Sequence, residues 1–366
     1  MALENGRIGS LQFILLMIGF ILGSSVVLMP GQAAGHDAWI AILIGMAEGI
    51  LFALVYSILG SRFKNKTLIE INEAVYGPIL GKLISLAFLG YIFHLGSLVI
   101  GNFKDFLSAT ILPQTPYAVL VILITLVCAN AVKNGVEVMA RCGQVLVPII
   151  TGFFIITVIF LMKDINLKNL QPILEVPLKD LLMAAHGAAS FPFAETVVFI
   201  MLIPYLKKNQ GALLIVVKGL LLGGTLLVLV AIRNSSVLGT LAGIYNYQNF
   251  QTDRLINVGH LLTRLEILTV IAMVTMGFIK IAVLLFGTVL GSAQLLGLRS
   301  YRPLVVPIAI LMMILSLINF KSVTENIAFA QQLYPIFAMP FEIGIPLLTL
   351  LVAVIRKLPP EVSGEN

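Results

Sequence analysis

Along the chain, polar residues gather in short clusters, and the intervals between them are almost continuously apolar. A helix that crosses a bilayer needs about 20 mostly apolar residues. Ten intervals meet or approach that length: about 8–30, 38–60, 81–101, 117–132, 144–162, 180–204, 211–232, 262–294, 303–319 and 331–355. The pattern predicts an all-α integral membrane protein with ten transmembrane helices. Nothing the size of a soluble domain is left over, so residues 1–366 read as one transmembrane domain with a short cytoplasmic tail, 356–366. The first interval exceeds the roughly 7–15 apolar residues of a signal peptide. Its basic flank holds only Arg7, offset by Glu4, so it reads as a retained helix. The longest polar interval, 233–261, contains "YNYQNFQTDRLINVGHLL" and has room for a short surface helix.

Two of the ten segments are interrupted. The first reads "IGFILGSSVVLMP", with Gly19, Gly23, Ser24 and Ser25 near its middle and Pro30 near its end; the sixth contains "HGAASFPFAE". Glycine and proline weaken a helix, and proline also removes a backbone donor. In lipid, irregular backbone survives only where it faces protein or a water-filled cavity. The interruptions fall five segments apart. That spacing points to a five-plus-five inverted repeat, about 8–162 and 180–355, with broken helices 1 and 6 at its binding site: the LeuT-like transporter fold. In such a site Gly23, Ser24 and Ser25 present N–H groups to an anion at a positive helix end. Carbonyls around 187–190, beside Phe191, Pro192 and Phe193, accept from a cation. An amino acid carries both groups. The plainer alternative is that the small residues only let helices pack closely.

Composition agrees with a bilayer as solvent: 59% of residues are hydrophobic and 11% charged, against about 25% charged in soluble domains. The net charge of +6 therefore bears on orientation rather than on nucleic acid, for which no basic, aromatic-interleaved patch exists. With the N-terminus inside, the inner loops hold the clusters Arg62–Lys64–Lys66, Lys207–Lys208, Arg299–Arg302 and Arg356–Lys357. The longer outer loops hold scattered Lys104, Lys163, Lys168, Lys179, Arg233, Arg254, Arg264 and Lys321. This bias places both termini in the cytoplasm. Two cysteines, Cys128 and Cys142, match no metal motif.

Ionisable residues at mid-membrane are costly and face the protein interior. Here they are Glu48, His94, His186, Glu195, Lys218 and Lys280. Lys218 is close enough to a helix end to snorkel, and Glu266 with Arg264 reads as an interfacial pair. Glu195 and Lys280 sit centrally, where a lone charge neutralises rather than persists. They are expected to pair, directly or through water, and to hold segment 6 against segment 8. The pair serves either packing alone or, with Glu48, coupling and gating. His94 is either hydrogen-bonded to a neighbour or proton-responsive. Tyr91, Leu95 and Val99 share one helix face and form a pocket wall if segment 3 faces the breaks.

There is no P-loop, HExxH, cysteine–histidine cluster or G-x-S-x-G elbow, so the sequence predicts no enzyme, cofactor or metal. The stretch from Leu170, Pro172 and Leu174 through "SFPFAE" (190–195) to Pro204, Lys207 and Lys208 resembles the B subunit of the spore-germinant receptors. That family is a branch of the amino acid–polyamine–organocation transporter superfamily. Ala194 stands where the family often has glycine. A second block, Arg264, Glu266, Gly277, Phe278, Ile279, Lys280, Tyr301, Arg302 and Pro307, is similar too, with Met273 in place of a frequent tryptophan. "GSSVVLMP" resembles the superfamily's G-S-G-I-x-x-x-P, with Ser25 replacing the second glycine.

The resemblance implies a polytopic subunit in the lipid of the spore inner membrane that senses a small-molecule nutrient such as an amino acid. It also implies partners: an A subunit with a large soluble domain and a lipoprotein C subunit. The nutrient would bind between segments 1, 3, 6 and 8, with Ser190, Thr275 and Ile279 joining the residues above. Two other readings share the fold: a free-standing proton- or sodium-coupled amino acid symporter, and a scaffold with a vestigial pocket. No lysine lies in the middle of segment 5 to couple protons, and the Thr275 hydroxyl alone is weak support for sodium.

Overall fold

The computed structural model describes residues 3–207, 211–256 and 265–359. Their regular structure is helical, apart from an isolated parallel bridge between Ile8 and Leu206. In chain order the helices are α1 (Ser10–Ser25), α2 (Ala38–Arg62), α3 (Leu68–Tyr76), α4 (Pro78–Thr110), α5 (Tyr117–Lys133), α6 (Val136–Phe160) and α7 (Leu178–Ala188). There follow α8 (Ala212–Leu238), α9 (Gln248–Arg254), α10 (Glu266–Leu295), α11 (Arg302–Ile318), α12 (Val323–Ala328), α13 (Tyr334–Met339) and α14 (Ile345–Ile355). Seven helical stretches are long and apolar enough to cross a membrane, and α1, α5 and α11 are shorter apolar helices. One of the seven runs through α7 to Met201, and another through α12, α13 and α14.

The distribution of side chains suits lipid. Leu83, Leu86, Leu123 and Leu126 point outward and are exposed, while Glu195, Lys280 and Glu342 are buried. α1 and α10 lie at the centre, packed on each other and against α4, α6 and α8. Close approach depends on glycine. A methyl group on Gly23 would lie 2.7 Å from Cβ and 2.9 Å from Cδ of Lys280, so α1 rests directly on the lysine stem.

Three expectations need correction. α4 is 33 residues long, so Lys104 is not in an outer loop; it is buried in the helix and pairs with Asp105 at 3.2 Å. Arg233 likewise lies inside α8, paired with Asp253 of α9 at 3.0 Å. The helix in 233–261 is α9, and it is not on the surface: Asn249, Phe250, Thr252 and Asp253 are buried. The interval after α2 forms α3, whose start is set by a capping box between Thr67 and Glu70. Lys208, Arg264 and residues 360–366 lie outside the described residues.

Candidate functional site

Two local irregularities meet at the centre. α1 stops at Ser25. α7 stops at Ala188 and gives way to a π-helical turn, Ala189–Phe193, and then a 3-10 stretch, Ala194–Met201. At the join, Phe191 leaves the helical region (φ −115°, ψ 108°). The residue before a proline is driven that way by the ring of the next residue, here Pro192.

Between these irregularities lies a cavity of about 20 Å³, room for roughly one water. Ser24, Leu95, Val99, Phe191 and Glu195 line it. Leu95 and Val99 thus bring one face of α4 to the cavity. Asn326, Phe329 and Tyr334 of the last span close it from the other side; the sequence reading assigned none of them.

Glu195 and Lys280 form a direct, fully buried ion pair. The ammonium also donates to Ser24 Oγ (2.9 Å) and lies 4.9 Å from the ring centroids of Phe20 and Phe191. This geometry suits cation–π attraction. The pair thus ties together α1, the segment after α7, and α10.

The network continues. Tyr334 donates to Glu195 Oε1 (2.7 Å) and its hydroxyl is 3.0 Å from that of Tyr91. Tyr91 donates to Glu342 Oε1 (2.7 Å) and Ser190 to Glu342 Oε2 (2.7 Å). Tyr56 donates to the Glu342 carbonyl (2.7 Å) and the Ala194 carbonyl (3.2 Å). Sequence reasoning missed Tyr56 and Tyr334, and it also missed Glu342. The signal was present: a lone acid midway along 331–355, flanked by Pro340 and Pro346.

Other candidates lie elsewhere. Ser25 is buried near the end of α1 with its hydroxyl unpartnered. Pro192 and Phe193 are buried at the break, and Phe193 fills the space left by Gly49. Ile279 packs against Gly19. His94 does not line the cavity; its ring meets Phe337 edge-on, with centroids 5.4 Å apart. Thr275 is not brought to the cavity either, and its hydroxyl donates to the Ile271 carbonyl of its own helix (2.7 Å). Glu48 pairs with His186 at 2.8 Å, half-buried. Among the described residues no group of His, Cys, Asp and Glu is arranged to hold a metal ion.

The fold is that of a LeuT-type transporter. The crystal structure of MhsT in complex with L-phenylalanine matches with a TM-score of 0.68 at 12% identity, over 98% of this chain and 99% of that one. Mhp1, a nucleobase-cation-symport-1 family transporter in a closed conformation with bromovinylhydantoin bound, matches with a TM-score of 0.65 at 9% identity, over 98% and 93%. Within that class, the chain belongs to the spore germination protein family, whose model matches residues 7–323. Spore germination protein KB of Bacillus subtilis (strain 168) is 27% identical over 97% of this chain and 96% of its own. Spore germination protein XB of Bacillus anthracis is 26% identical over 69% and 71%. The chain is a multi-pass membrane protein and not an enzyme.

Proposed function

We propose that this chain is the membrane-embedded sensing subunit of a spore germinant receptor, and that it binds a small nutrient, an amino acid, where α1 and the segment after α7 are interrupted. The reading includes a ten-helix inverted repeat, in which α1, α5 and α11 count as spans beside the seven longer ones. It also includes the spore inner membrane as location, with both termini cytoplasmic, and A and C subunits as partners.

The carrying observation is the cavity lined by Ser24, Phe191 and Glu195, with Lys280 bonded to both Ser24 and Glu195 behind that lining. It offers opposite charges a short distance apart, which suits a zwitterion. Gly23 and Ser25 flank Ser24 in the chain, Tyr91 and Ser190 belong to the hydrogen-bond network that leads away from Glu195, and Leu95 and Val99 give the cavity an apolar wall. At about 20 Å³ it holds no amino acid as it stands. A ligand must displace Phe191, Phe329 or Tyr334, and so favours a wider arrangement of the helices. A ligand shifts such an equilibrium only by its differential affinity for the two states; partner subunits would read that shift.

Thermal unfolding of the purified chain against amino acids, nucleosides and sugars tests the reading. A solute at a hundred times its Kd adds about 2.7 kcal/mol to the native state. One amino acid is expected to raise the melting temperature of the wild type but not of Ala330→Trp, which fills the cavity from its half-exposed side. No shift with any solute sinks the proposal for the isolated chain. Flux of the same solute into proteoliposomes would instead mark a symporter.

A further inference from the structure

Four oxygen atoms form a chain through the protein centre: Glu342 Oε1, the Tyr91 hydroxyl, the Tyr334 hydroxyl and Glu195 Oε1. The successive gaps are 2.7, 3.0 and 2.7 Å. Each gap has hydrogen-bond length, and each needs one proton. The two phenols supply two. If both carboxyl groups are ionised, one gap always brings lone pair against lone pair. A third proton, on one of the terminal carboxyls, completes the chain with every donor pointing the same way.

Charge leads to the same count. The cluster holds two carboxyl groups and one ammonium, and the ammonium of Lys280 pairs with Glu195. Glu342 lies 2.7 Å from each of the Tyr91 and Ser190 hydroxyls, the Tyr91 bond running from acid to phenol once Glu342 is protonated, and no ion pair reaches Glu342 among the described residues. Tyr56 faces it as well, but bonds to its backbone carbonyl. A buried carboxylate without a counter-charge is costly, so the third proton belongs on Glu342.

We propose that Glu342 holds an exchangeable proton, and that Tyr91 and Tyr334 relay it to Glu195. In the transfer, Tyr334 gives its proton to Glu195, Tyr91 gives its own to Tyr334, and Glu342 gives its own to Tyr91. Each phenol loses one proton and gains one, and nothing is oxidised. Glu342 ends as a carboxylate held by Tyr91 and Ser190. Glu195 ends neutral, and Lys280 is left as an unneutralised cation beside the cavity, free to attract an anionic group. The centre thereby carries a proton site wired to Glu195, which lines the cavity and pairs with Lys280, whichever solute binds there.

Infrared spectroscopy of the full-length chain in lipid nanodiscs at neutral pH tests this without any ligand. The wild type is expected to show the carbonyl stretch of a protonated carboxylic acid, shifted in D₂O, and the Glu342→Gln difference spectrum is expected to show its loss. In Tyr91→Phe the band is expected to persist at a changed frequency, because the acid has lost its acceptor. That substitution keeps the ring, which stacks on Phe341 at 5.1 Å. The proposal is overturned by absence of the band from the wild type, or by its survival in Glu342→Gln. If Glu342→Gln does not fold, a Tyr91→Phe spectrum identical to that of the wild type overturns it instead.

Discussion

The Glu195–Lys280 pair has its energetic weight in its burial. Removing one partner of a buried pair leaves an uncompensated charge, which costs about 3–5 kcal/mol, whereas replacing both can be close to neutral. Glu195→Gln and Lys280→Met should each lower stability by roughly that amount. The double variant should lose clearly less than the sum. Denaturant unfolding of the three variants in one detergent measures the cycle, and strict additivity would mean the two side chains do not depend on each other. These residues were legible in the sequence because each is a charge inside an apolar run, where only a partner can make it tolerable. Glu342 carries the same signal, but the interruptions in segments 1 and 6 draw attention to other helices. Tyr334 and Asn326 carry none, since a tyrosine or asparagine in an apolar run looks the same whether it packs, caps or binds.

At the level of helices, the apolar pattern located the long apolar helices well and their ends poorly. α4 runs to Thr110, beyond the apparent limit at 101, because its last turns place Asn102 and Asp105 against Asn326, which donates to both at 2.8 and 3.1 Å. A polar residue ends an apolar run in sequence but not a helix whose polar side faces a partner. α9 misleads for the same reason. Its Asn249 donates to the Val26 carbonyl (2.6 Å) just after α1 stops, and it accepts from Arg233 and Asn234 at 2.9 Å each. A polar loop segment thus becomes part of the interior. The contact between α1 and α10 yields a sharper expectation. In Gly23→Ala the new methyl meets the Lys280 stem, and overpacking of this kind costs about 1–3 kcal/mol. Gly90 of α4 has open space around its missing side chain, so Gly90→Ala should be neutral or stabilising by up to about 1 kcal/mol. Equal melting temperatures for the two variants would show that α1 has room to shift.

For the whole molecule, the corrected positions of Lys104 and Arg233 sharpen the charge asymmetry, because two cations counted in outer loops are interior ones with their own carboxylates. Buried, paired cations have no say in orientation; exposed loop cations do. Lys64 and Lys66 remain exposed on one side, after α2, whereas the exposed loop after α4 holds Pro113 and Gln114 and no cation before α5 begins. The prediction is a cytoplasmic α2–α3 loop and an external α4–α5 loop. In a Cys142→Ser background, where the remaining Cys128 is buried, Lys66→Cys and Gln114→Cys report on it. A membrane-impermeant thiol reagent should label Gln114→Cys but not Lys66→Cys in right-side-out vesicles, and the reverse in inverted ones. The result also decides how a solute arrives. The cavity lies along α4 between Leu95 and Asn102, towards the end of that helix that leads to Gln114. If Gln114 is external, a nutrient outside the membrane meets the cavity first, as a sensor requires. If it is cytoplasmic, the same cavity faces the cell interior, and sensing of external solutes at this site fails.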